Sequence, residues 1–250
     1  MILYFSATGN SRFVAESIAA ATGDAAVDFA SVSSVDVREG ERLGFVAPTY
    51  FWSVPNIVAD YLRAMTLQVS PDSYVFFVST FGMTPGRSGQ VMKKLLADAG
   101  VTLSATFGVQ MVDNWTPVFD VSDETKVAQA IEAEKPQVEA IIRRVEAREC
   151  GTFMPRQLPS ALCYPALPLL SASSKTSHFH VEDSCTGCGF CARKCPARAI
   201  EMADGKPAWV KDTCAICLGC LHRCPEFAIQ YGSKTKAHGQ YQHPRFRCHS

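Results

Sequence analysis

The 250 residues are 47% hydrophobic and 19% charged, which provides for a sizeable core and excludes a disordered chain. The 24 lysines and arginines balance 24 aspartates and glutamates, so no net field draws the chain to nucleic acid or to an anionic membrane. Recognition of partners falls to local patches.

The opening run Met1-Ile2-Leu3-Tyr4-Phe5 turns polar at Ser6. It has neither the apolar length nor the basic flank of a secretory leader, so a cytoplasmic location is expected. The same run is the first of five expected strands, at 2–5, 26–29, 43–47, 74–78 and 105–111. Val, Phe and Tyr dominate them without polar alternation, the pattern of strands buried on both faces. Between them Val14, Ile18 and Ala21 fall at helical spacing, as do Ile57, Tyr61 and Met65, then Met92, Leu95 and Ala99. A last helix is expected over 123–147, with Pro136 kinking or dividing it. The segment 30–42 is short and polar and is expected to be irregular. Strands alternating with helices predict an α/β fold, a doubly wound parallel five-stranded sheet, over residues 1–148.

Residues 149–178 change to Pro, Ser, Leu and Ala, the composition of a linker or packed crossover. Its apolar content either docks on the first domain or serves a partner. The run 158–170 is broken by Pro159, Pro165 and Pro168 and is too short to cross a bilayer, so no membrane span is expected.

Of eleven cysteines, eight lie between Cys185 and Cys224. They belong to a repeat in which Cys185, Cys188, Cys191, Cys195, Pro196, Ala199 and Ile200 recur 29 residues later as Cys214, Cys217, Cys220, Cys224, Pro225, Ala228 and Ile229. Two copies are too few for a solenoid and read as a pseudo-two-fold pair, a small α+β module over 179–232 with a tail at 233–250. Within each Cys-x2-Cys-x2-Cys-x3-Cys-Pro run, three thiolates grip one cubane. The fourth, ahead of a proline that redirects the chain, reaches the other. One cluster is therefore expected on Cys185, Cys188, Cys191 and Cys224, and the second on Cys214, Cys217, Cys220 and Cys195. Zinc modules separate their Cys-x2-Cys pairs more widely. Gly187, Gly189 and Gly219 let the backbone wrap tightly around sulfur. Arg193, Lys194, Arg198 and Arg223 form a basic surface near the ligands, and Cys150, Cys163 and Cys248 are expected to be incidental thiols.

Ser6-Ala7-Thr8-Gly9-Asn10-Ser11 follows the first strand and opens the first helix, where backbone N–H groups and the helix dipole favour a phosphate. Two further loops leave strands three and four, where open α/β sheets bind ligands: Pro48-Thr49-Tyr50-Phe51-Trp52-Ser53 and Ser79-Thr80-Phe81-Gly82-Met83-Thr84-Pro85-Gly86. No Gly-x-Gly-x-x-Gly follows strand one, which disfavours a dinucleotide site. Asp113-Asn114-Trp115 follows the fifth strand, at the site edge or in surface packing.

The repeats, each closing on Cys-Pro-x-x-Ala-Ile, resemble the bacterial two-cluster ferredoxins. The three loops resemble flavodoxins, whose phosphate loop reads Thr-x-Thr-Gly-x-Thr; Ser6 and Ser11 keep the hydroxyls here. By that resemblance Ser6, Thr8, Gly9, Asn10 and Ser11 hold the phosphate of FMN, and Thr49, Tyr50, Phe51, Trp52, Thr80, Phe81 and Gly82 contact its ribityl chain and ring. The whole is similar to fusions of a flavodoxin-like domain with a ferredoxin module carrying two 4Fe-4S clusters. It implies an electron-transfer protein that links one- and two-electron redox protein partners. An FMN-dependent reductase with a small-molecule acceptor, and a non-catalytic redox sensor, stay open as alternatives. No His, Cys or carboxylate constellation for substrate chemistry stands out in the first domain.

Overall fold

The computed structural model describes residues 1–155 and 173–247. They form two compact units that do not coincide with linear segments. The first comprises 1–6, 10–112 and 129–155; the second comprises Ala7–Gly9, Asp113–Ala128 and 173–247.

In the first unit β1 (Ile2–Tyr4), β2 (Ala26–Asp28), β4 (Arg42–Pro48), β6 (Tyr74–Phe81), β7 (Ala105–Gln110) and β8 (Gly151–Phe153) make a six-stranded sheet in the order β2-β1-β4-β6-β7-β8. Every neighbouring pair is parallel. All eight residues of β6 are buried, as a strand covered on both faces requires. Val14 and Ile18 of α1 (Asn10–Thr22) and Val138, Ile141 and Val145 of α4 (Glu124–Glu146) pack with Val46, Phe76 and Phe107 on one face. Phe45 points to the other face and stacks on Phe29 at 6.0 Å, which stacks in turn on Tyr61 of α2 (Asn56–Ala64) at 6.3 Å. There α2 lies beside α3 (Ser88–Asp98). This order places the topological switch point between β1 and β4, so ligand-binding loops belong at the carboxyl ends of those strands.

Three expectations are corrected. The sheet has six strands rather than five, because Gly151–Phe153 pairs with β7. Three residues carry no periodicity. What holds them is tertiary: Phe153 stacks on Phe107 at 5.3 Å beneath the Arg144 guanidinium, 4.2 Å away. The segment 30–42 is not irregular, since β3 (Ser34–Val37) pairs in parallel with β5 (Thr66–Val69) and buries Val35 and Val37. Finally, Pro136 does not divide α4, which runs as one helix through it. That proline is exposed at the helix surface.

The second unit holds two antiparallel pairs, β9 (Phe179–Val181) with β12 (Ile229–Tyr231) and β10 (Ile200–Ala203) with β11 (Lys206–Trp209). Each half contributes a helical turn, Phe190–Arg193 and Gly219–His222, again 29 residues apart. Left-handed backbone recurs at the same offset: Gly187, Gly189 and Arg198 have φ of 70°, 70° and 47°, and Ile216, Leu218 and Phe227 have 49°, 52° and 46°. Phe179 stacks on Trp209 at 4.8 Å and meets Tyr231 edge-on at 4.9 Å. The expected docking of 158–170, and the thiols of Cys163 and Cys248, lie outside the described residues. Cys150 is an exposed thiol. Among the described residues no helix is long and apolar enough to cross a membrane.

Gly44 tests the packing of the sheet. A Cβ there would lie 2.5 Å from Cζ of the buried Phe76 ring. Gly44→Ala is expected to destabilise the first unit by about 1–3 kcal/mol, seen as a lower urea midpoint in far-ultraviolet circular dichroism. An unchanged midpoint would show that the ring moves aside freely.

Candidate functional site

The eight repeat cysteines line two solvent-open voids of the second unit. One is lined by Cys185, Cys188, Cys191 and Cys224. The other is lined by Cys195, Cys214, Cys217 and Cys220. The turn at each Cys-Pro carries the fourth sulfur out of its own repeat and into the void of the other. Among the described residues no cluster of three His, Cys, Asp or Glu side chains is arranged to hold a single metal ion. The thiols surround volumes rather than points.

Both fourth sulfurs are met in the same way. Ala199 N–H donates to Cys195 Sγ at 3.4 Å and Ala228 N–H donates to Cys224 Sγ at 3.4 Å. Both alanines are fully buried, so the small side chain lets the amide approach. Ile216 N–H donates to Cys214 Sγ at 3.3 Å, which the left-handed turn at Ile216 permits. The Arg193 guanidinium donates to the Cys188 carbonyl at 2.9 Å, and Arg223 to the Gly219 carbonyl at 3.3 Å. These two arginines hold the ligand-bearing turns.

The surroundings of the voids differ. Cys188 is exposed and Glu226 lines the first void, whereas Lys194, Phe179 and Trp209 line the second. Burial pushes the Cys214 thiol up to about 11, and raises Cys217 and, most strongly, Cys220. His222, two residues from Cys220 and from Cys224, is fully buried. Burial pushes its pKa down to about 4, with Arg223 adding to the fall, so it is neutral near pH 7.

In the first unit the candidate flavin residues gather at the carboxyl ends of β1, β4 and β6. Asn10 opens α1, its Nδ2 donating to the Val112 carbonyl at 3.2 Å. Ser11 Oγ lies 2.8 Å from Thr80 Oγ1, and Thr49 Oγ1 lies 2.6 Å from Ser79 Oγ. Tyr50 and Ser53 exchange both backbone hydrogen bonds, at 2.9 and 3.0 Å. Between them Phe51 and Trp52 adopt φ of 47° and 61°, a two-residue turn with two left-handed aromatic residues. Such strain costs about 1–2 kcal/mol per residue and persists where surrounding contacts impose it. Gly86 imposes it here. Its absent side chain admits Trp52, since a Cβ would fall 2.3 Å from the Trp52 carbonyl oxygen, and the next residue, Arg87, donates its N–H to that oxygen at 2.7 Å. Phe81 instead turns into the fold over Gly108, where a Cβ would lie 3.0 Å from its ring, while Gly82 is half-buried beside it. Ser6 is half-buried after β1.

The turn Ala7–Gly9 clusters with the second unit. Asn114 Nδ2 donates to Thr8 Oγ1 at 2.6 Å, and the His243 N–H donates to the Thr8 carbonyl at 2.8 Å. Trp115 packs on Tyr231 at 5.8 Å. Sequence reasoning left His243 out of the site, placed Gly86 in a ligand loop without a role, and put Asn114 at the site edge or in surface packing. Ala199 and Ala228, by contrast, left a readable trace, because the same small residue recurs four positions after each final cysteine.

The donor sets suit the two groups the resemblance implied. Four sulfurs line each void, a soft donor set that suits iron–sulfur or zinc chemistry better than hard cations. Hydroxyls and a helix N-terminus meet at the first loop, which suits a phosphate.

A family model described as a flavodoxin domain matches residues 1–138, and one described as a 4Fe-4S dicluster domain matches residues 184–229. A search of curated proteins returned no match. Among solved structures, rubredoxin oxygen:oxidoreductase from the anaerobe Desulfovibrio gigas is similar at 17% identity and a TM-score of 0.35, over 59% of this chain and 36% of that one. This chain thus spans little more than a third of that protein. The Trp repressor binding protein from Bacillus subtilis is similar at 12% identity and a TM-score of 0.30, over 55% of this chain and 97% of that one. The chain belongs to the flavodoxin-domain family, with a 4Fe-4S dicluster domain following on the same polypeptide, and its role is electron transfer or flavin and iron–sulfur redox chemistry.

Proposed function

We propose that the chain is an electron carrier with two 4Fe-4S clusters and one FMN, linking one-electron and two-electron redox partners. The observation that carries this reading is the pair of four-sulfur voids, each taking three thiols from one repeat and the fourth from the other. Bound there, the clusters supply one-electron transfer, and FMN supplies exchange between one- and two-electron steps. Cys185, Cys188, Cys191 and Cys224 would hold one cluster, and Cys214, Cys217, Cys220 and Cys195 the other. The amides of Ala199, Ala228 and Ile216 stabilise charge on their sulfurs. Ser6, Thr8, Gly9, Asn10 and Ser11 would bind the flavin phosphate, Thr49 and Thr80 the ribityl chain, and the Tyr50–Trp52 turn the ring. No side chain need accept a proton from a substrate.

Protein purified without oxygen is expected to contain roughly eight irons, a matching amount of acid-labile sulfide and about one FMN per chain. Its flavin should be reducible by a one-electron donor through the clusters. Stoichiometric zinc without sulfide would sink the proposal. The crossing of ligands has its own test in electron paramagnetic resonance of the reduced protein: Cys224→Ala should remove the same cluster signal as Cys188→Ala, while Cys195→Ala removes the one lost in Cys217→Ala. If Cys224→Ala and Cys217→Ala share a signal, each cluster belongs to one repeat. Gly86→Ala is expected to dislodge the Trp52 turn, raising the FMN dissociation constant severalfold by fluorescence titration at unchanged iron content. Equal affinity would separate that turn from the flavin.

A further inference from the structure

Thr8 is a phosphate-loop hydroxyl that accepts a hydrogen bond from a side-chain amide. Asn114 Nδ2 donates to Thr8 Oγ1 at 2.6 Å, and Thr8 is nearly fully buried, at 6% exposure. A hydroxyl that accepts at its oxygen keeps its own hydrogen to give. The direction in which Asn114 bonds therefore decides where the Thr8 hydrogen points.

Asn114 is itself fixed within the second unit. Its carbonyl lies 2.9 Å from His222 Nε2, and His222 Nδ1 accepts the Tyr241 N–H at 3.1 Å. Since Nδ1 accepts that amide hydrogen it carries none of its own, and Nε2 is the nitrogen that donates to the Asn114 backbone carbonyl. Residues 240–243 complete the frame. Gln240 Nε2 donates to the Leu221 and Cys224 carbonyls at 2.7 and 2.8 Å, and Gln242 Nε2 to the His222 carbonyl at 3.1 Å. The His243 N–H holds the Thr8 carbonyl at 2.8 Å. Gly9, at φ +106°, accepts this segment so closely that a Cβ would lie 2.8 Å from His243 Cβ and 2.9 Å from the Phe246 ring.

We infer that Asn114 is a positioning residue for the flavin phosphate: by donating to Thr8 it leaves the Thr8 hydroxyl to donate to a phosphate, while His222 anchors the Asn114 backbone beside it. The inference rests on the FMN reading above and makes Asn114 a determinant of FMN over flavins without the phosphate. It also gives residues 240–246 a place in the loop, where the sequence showed only a tail.

The test is fluorescence titration of the full-length, cluster-loaded chain, freed of flavin, with FMN and with riboflavin. Asn114→Asp is nearly isosteric, but its carboxylate takes the Thr8 hydrogen and adds a negative charge. It is expected to weaken FMN at least tenfold, to leave riboflavin within about twofold, and to keep iron and sulfide content. Asn114→Ala should weaken FMN less. In a Thr8→Val background the Asn114→Ala loss should vanish, because Asn114 acts through that hydroxyl. Equal weakening of FMN and riboflavin, or a full Asn114→Ala loss in the Thr8→Val background, overturns the inference. An unaltered chain that binds neither flavin overturns the FMN reading and this inference with it. An unaltered chain that prefers FMN, beside an Asn114→Asp that prefers it equally, overturns the inference alone.

Discussion

Packing eight thiols into a short segment is possible only if like-charged sulfur is spread over two centres and each centre is closed from both halves. The chain meets this constraint at Cys195 and Cys224, whose prolines turn it so that each sulfur joins the opposite void. Neither half can then complete a void alone, and the strands follow the same logic: β9 of one half pairs with β12 of the other.

The cost of that wrapping appears in the backbone. In the first half Gly187 and Gly189 take the left-handed positions freely. In the second half Ile216 and Leu218 occupy the same positions, and for a β-branched residue this conformation is a genuine outlier. Both side chains are buried, at 5% and 2% exposure, so apolar burial of about 1.5–3 kcal/mol each offsets a strain of about 1–2. The first half gives the opposite reason for its glycine, since a Cβ on Gly187 would lie 2.5 Å from the Gly205 carbonyl oxygen. One backbone path is thus reached by two solutions, freedom in one half and burial in the other.

The sequence made legible what is periodic or repeated. Strands buried on both faces declared themselves through unbroken runs such as Tyr74-Val75-Phe76-Phe77-Val78, and the cysteine spacing carried the pairing of sulfurs to voids. Three kinds of feature escaped. Gly151–Phe153 is too short for a pattern and depends on Phe107 and Arg144. Ser34–Val37 alternates apolar and polar residues, but its partner lies some thirty positions away at Thr66–Val69. Asn114 and His243 look like ordinary polar residues until the fold brings them to Thr8, more than a hundred positions distant in each case. Phe81, read as a ring contact, shows the reverse: an aromatic side chain at a loop boundary was drawn into the core because Gly108 left room for it.

The polar groups at the core of the second unit are mostly neutral, and that has a physical rationale. Four thiolates make a dense anionic centre, and a buried cation beside it would need its own partners to offset desolvation. His222 avoids the problem by staying uncharged and spending both ring nitrogens on backbone groups, the Tyr241 N–H and the Asn114 carbonyl. The charge near sulfur is met instead by amide dipoles at Ala199, Ala228 and Ile216, which need no counter-ion and do not reorganise when an electron arrives. Arg193 and Arg223 bond to the Cys188 and Gly219 carbonyls and so brace the ligand-bearing turns. On the carrier reading proposed above, a centre built this way would change charge with little movement of its ligands.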